Sequence, residues 1–114
     1  MPSPYYLIFP RSALSPLERD LVRRLGRTKE AALPKDARVM YILWSRLLSA
    51  VRMIWRALDL QPPGHELTHV TLRLDYLEAW AFDRYLRIRL VEIGEENEEF
   101  LAYQSLTAEL ANYL

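Results

Sequence analysis

The segment from Asp36 to Leu60 constrains the fold more than any other. Met40, Leu43, Leu47, Val51, Ile54 and Leu58 recur there at three- and four-residue steps, the spacing that aligns side chains on one face of an α-helix. Arg38, Ser45, Ser49, Arg52, Arg56 and Asp59 keep the same period, as a solvent face does. Between the two stripes lie Tyr41, Trp44, Leu48 and Trp55, which widen the apolar arc beyond what a single neighbouring helix covers. This central helix therefore either has neighbours on two sides or offers aromatic side chains to a partner. Pro62-Pro63-Gly64 ends it and turns the chain, because proline removes a helical hydrogen bond and clashes with the preceding turn.

The remaining elements are arranged around that helix. Tyr5-Tyr6-Leu7-Ile8-Phe9, closed by Pro10, reads as a short strand. Ser15-Pro16-Leu17-Glu18 has the form of a helix start, with Leu17, Leu21 and Leu25 as its buried stripe and Gly26 as its stop. From His65 to Ile93 two periods compete. Val70, Leu72, Leu74 and Tyr76 alternate with polar residues, as do Leu86, Ile88 and Leu90, which favours strands; Leu67, Val70, Leu74, Leu77, Ala81, Tyr85 and Ile88 also form a helical stripe. After Gly94, the acidic run Glu95 to Glu99 suits a helix N-terminus, and Phe100, Tyr103, Leu106, Leu110 and Tyr113 supply its apolar face. The expectation is one α+β domain over 1–114. A short antiparallel sheet from segments near 4–9, 67–76 and 79–93 would pack against about three helices, near 16–26, 36–60 and 97–113. An all-α bundle is the alternative.

With 114 residues and no cysteine, the chain is long enough to bury a core and has no thiolate for catalysis, disulfides or metal clusters. Arg46, Arg52 and Arg56 interrupt its most apolar stretch, so no membrane span is expected, and without an export signal the expected location is the cytoplasm. The net charge of zero hides a segregation. Residues 1–56 carry eleven Lys and Arg against four Asp and Glu, a balance of +7, and residues 57–114 carry the reverse, −7. Thirteen of the fifteen cationic residues are arginine, whose planar guanidinium suits interfaces and phosphates.

His65-Glu66-Leu67-Thr68-His69 matches HExxH. In this short stretch the sequence resembles the zincin metallopeptidases, and the resemblance implies His65 and His69 as zinc ligands and Glu66 as general base. Glu78, in Leu77-Glu78-Ala79-Trp80-Ala81-Phe82, resembles the third ligand of some of those enzymes, with Asp75 as the other candidate. The ligand pair needs a helix: on a strand, residues i and i+4 lie about 13 Å apart. One unbroken helix from 65 to 78 would in turn carry Glu78 about 20 Å along the axis from His65.

Outside that motif the chain has no catalytic set. The reading it favours is a non-catalytic interaction or assembly module, self-associating or a small subunit of a larger complex, with Tyr41, Trp44, Trp55, Arg38, Arg52 and Arg56 as contact residues. A zinc metallopeptidase using HExxH is the first alternative. A nucleic-acid binder using Arg19, Arg23, Arg24, Arg27 and Lys29 is the second.

Overall fold

Two short strands, one of them with alternating apolar and polar residues, pair side by side. A computed structural model describes residues 4–27, 34–62, 64 and 68–114, with Asp36 and Glu98 described by their backbone alone. In it β1 (Tyr5–Pro10) pairs antiparallel with β2 (His69–Leu74), Leu7 opposite Leu72 and Phe9 opposite Val70. Leu7, Phe9, Val70, Leu72 and Leu74 face inward and are buried, while Tyr6, Ile8, Thr71 and Arg73 stay outside. A single 3₁₀ turn, Arg11–Ala13, leads into α1 (Leu14–Arg27), followed by α2 (Lys35–Asp59), α3 (Tyr76–Ile93) and α4 (Glu98–Tyr113). The fold is a small α+β arrangement: among the described residues, four helices packed against a two-stranded sheet.

The third expected strand, 79–93, is instead the body of α3. Ala79, Phe82, Leu86, Leu90 and Ile93 form a helical stripe that is buried or packed against the core, with Ala81 and Tyr85 on an adjoining ridge. The alternation at 86, 88 and 90 is incidental, since Ile88 is exposed, as is Leu77. A local signal starts this helix. The Asp75 carboxylate accepts from the Glu78 amide at 2.7 Å and Glu78 accepts from the Asp75 amide at 3.0 Å, a capping box that satisfies two backbone donors. Gly94, at φ 74°, ends it in a conformation that side chains disfavour.

Two further boundaries differ from expectation. The 3₁₀ turn carries the chain into α1 at Leu14, so Ser15 lies inside the first turn instead of capping it. Gly26 is passed over, and α1 continues to Arg27. α4 starts at Glu98, where the Asn97 side chain accepts from the Glu99 amide at 2.9 Å.

α2 is central, packing against α1, α3 and β2, while α4 covers α3 and β1. The largest fully buried side chains, Tyr85, Tyr103, Phe9 and Phe82, come from three different elements. Burying each such side chain stabilises the fold by roughly 1.5–3 kcal/mol. No described helix is long and apolar enough to cross a membrane.

Candidate functional site: a buried carboxylate and an arginine-rimmed cleft

Asp20 sits one residue before Leu21 on the buried side of α1 and is only 4% exposed. An isolated buried carboxylate is costly, so its partners matter. The Tyr85 hydroxyl of α3 donates to Oδ2 at 2.5 Å, Arg24 Nε donates to the same oxygen at 2.7 Å, and Arg89 lies 3.5 Å from Oδ1. Arg24 also pairs with Glu92, and Arg89 reaches Glu99 at 3.7 Å, while Arg19 meets Glu99 from the outside at 3.3 Å. Three helices are thereby joined through one carboxylate and its arginines.

The electrostatics hold this network in one protonation state. Burial pushes the Asp20 carboxyl up, but the Tyr85 hydroxyl, Arg24 and Arg89 more than offset it, and its pKa lies below the ordinary value. Burial, then the hydrogen bond to Asp20, raises the Tyr85 hydroxyl far above its usual range. Tyr103, nearby on α4, is pushed up to about 12 by burial and by Glu99. An ionised aspartate and a neutral tyrosine are thus fixed across the neutral range, a pattern that suits a structural clamp better than a proton-transfer pair poised near pH 7.

The outer side of the clamp is the floor of a cleft of about 380 Å³ between α1, α2 and α3. Arg23, Arg24, Arg27 and Arg89 line it against two acids, Asp20 and Glu92, and Leu25, Met40, Tyr41 and Trp44 form an apolar wall. Trp44 donates its Nε1 to the Ala81 carbonyl at 2.9 Å and packs edge-on against Tyr85 at 5.9 Å. The Tyr41 hydroxyl points to the Leu25 carbonyl at 3.4 Å.

The candidate residues separate accordingly. Tyr41, Trp44 and Trp55 are half-buried and packed on neighbours, with Arg11 over the Trp55 ring at 6.0 Å, so the surplus aromatic arc of α2 is largely taken up within the chain. Arg38, Arg52 and Arg56 are exposed; Arg52 approaches Glu18 at 4.0 Å and Arg56 has no ion-pair partner among the described residues. Of the arginine-rich set, Arg19 and Arg24 are held by acids, Arg23 and Arg27 are exposed without partners among the described residues, and Lys29 lies outside those residues.

Of the HExxH motif, the second histidine is described. His69 is the first residue of β2, exposed and opposite Pro10, with Nδ1 3.0 Å from the Thr68 hydroxyl. Glu78 is held in the capping box of α3, and Asp75 is its N-cap. His65 and Glu66 lie outside the described residues, among which no group of three His, Asp or Glu could hold a metal.

Sequence reasoning passed over Asp20, Tyr85 and Arg89. The available signal was Asp20-x-x-x-Arg24, a charge pair at helical spacing with its acid beside the leucine stripe. Comparison with known proteins found no matching family model, no similar curated protein and no similar solved structure.

Proposed function

We propose that the chain is a self-assembling interaction module whose contact surface is the outward face of α2. The observation that carries this reading is the composition of that face. Val39, Ile42 and Met53 are exposed there, Met53 to 67%, among Arg46 and Arg56, which have no partner among the described residues. An exposed row of apolar side chains rimmed by unmatched cations fits a protein contact better than a merely solvated surface.

The complementary surface is on the same chain. Val91 and Leu101, 86% and 71% exposed, bracket in sequence the exposed acids Glu95 and Glu96 at the turn between α3 and α4. Arg19 and Arg24 of α1 are matched by Glu99, Glu92 and Asp20, so the +7/−7 segregation is only partly neutralised among the described residues. Unmatched positive charge lies on the outward face of α2, as well as on Arg23 and Arg27 of α1, and exposed acids lie at that turn, an arrangement that favours head-to-tail contact between copies. A charge swap tests it. Arg46→Glu with Arg56→Glu should dissociate the assembly to the 13.5 kDa chain in light scattering. Mixing that variant with Glu95→Arg/Glu96→Arg should restore association. Variants that associate like the parent would refute the reading. The nucleic-acid reading has less support, because two of its five cations are spent on internal acids.

A further inference from the structure

The α1–α2–α3 cleft combines three properties. Its floor is rigid, because Asp20, Arg24 and Arg89 are locked to one another and to the buried Tyr85. Its wall is apolar: Trp44 has already given its only donor to Ala81 and offers ring surface, beside Met40 and Leu25. Its rim carries charge in excess, since four guanidiniums face two carboxylates and Arg23 and Arg27 have no partner among the described residues. The volume, about 380 Å³, is in the range of sites that enclose small organic molecules.

We propose that this cleft binds a small aromatic anion, its ring against Leu25, Met40 and Trp44 and its acidic group on Arg23 and Arg27. The chemistry follows from what the cleft lacks. Arg24 and Arg89 already have carboxylate partners, so among the described residues the charge left to neutralise is that of the two rim arginines, whose N–H groups a carboxylate or a phosphate monoester pairs with through charge-assisted hydrogen bonds. The wall presents hydrocarbon and ring surface, so a bare inorganic anion would leave most of the cleft unfilled.

Isothermal titration of the purified chain in low salt tests this with four probes: indole-3-acetate, phenyl phosphate, the neutral indole-3-ethanol and inorganic phosphate. At least one of the two aromatic anions should bind one per chain, and whichever binds more tightly identifies the preferred acidic group. Indole-3-ethanol and inorganic phosphate should each be weaker by about tenfold or more, since one lacks the charge and the other the ring. Arg23→Gln with Arg27→Gln, both on the surface, should weaken binding by a similar factor while leaving the thermal midpoint in place. Three results would overturn the assignment: no saturable binding of either aromatic anion at millimolar concentration, equal binding of the neutral analogue, or binding unchanged in the double variant.

Discussion

Replacing Tyr85 by Phe removes a single oxygen from the centre of the molecule. The ring is fully buried, packed against Trp44 and Phe82, and phenylalanine keeps that packing, so the change isolates the hydroxyl's hydrogen bond to Asp20. A hydrogen bond to a charged group contributes about 1.5–3 kcal/mol. Arg24 still donates to the same oxygen at 2.7 Å, so Asp20 is not orphaned and the low end applies, roughly 1.5–2 kcal/mol. For a domain of this size that is a fall in Tm of about 6–10 °C. The loss should also depend on pH. Because the Asp20 pKa is lowered on folding, its contribution is complete above the unfolded carboxyl value of about 4 and disappears as pH falls through the native value. The gap between parent and variant should be full at pH 7 and narrow below about pH 4. Urea unfolding followed by circular dichroism at both pH values, with the denaturant slope unchanged, measures it. A loss under about 0.5 kcal/mol at pH 7, or one unchanged in acid, would refute the clamp.

Two further outcomes follow from the same structure. Asp75→Ala removes one half of the capping box and should cost about 1 kcal/mol in urea unfolding, with no loss if β2 and α3 are not joined by that cap. Tyr103 and Tyr85 both ionise above their unfolded value of about 10, so their contribution is intact below pH 10 and is lost as pH rises beyond it. Tyr103→Phe should therefore make stability fall less steeply between about pH 10 and 12, and an identical slope in both proteins would contradict the burial of that hydroxyl.

Much of the fold was legible because it rests on single-face periodicity. Of the residues assigned inward, Leu43, Leu47, Val51 and Leu58 of α2 and Val70, Leu72 and Leu74 of β2 are buried, whereas Met40 and Ile54 are half-buried and Tyr76, which begins α3, is exposed. α3 was not legible in that way. It is packed by α2, α4 and β2, so its buried residues spread around the axis instead of forming one narrow stripe, and the chance alternation of Leu86, Ile88 and Leu90 competed with that weak signal. Its capping box was present in the sequence as Asp75-Tyr76-Leu77-Glu78, but Glu78 drew attention as a metal ligand instead.

The site followed the same division. The arginines were visible from composition, whereas their ion-pair partners were not, because Asp20 and Arg89 are 69 positions apart and meet only when α1 and α3 come together. The aromatic arc of α2 admitted two explanations from sequence, neighbours on two sides or a partner. With Trp44 bonded to Ala81 and Tyr41 directed at Leu25, α3 and α1 account for most of it. The large apolar side chains that α2 leaves exposed are therefore Val39, Ile42 and Met53, and not the tryptophans.

Self-association through that row is tested most directly by sedimentation equilibrium of the unmodified chain across about two decades of concentration, in low salt and again near 1 M salt, where the screening length falls to about 3 Å. A self-associating chain has an average mass that rises above 13.5 kDa with concentration in low salt and falls back as salt weakens the contact between α2 and the acidic turn. A mass fixed at 13.5 kDa under every condition would contradict it.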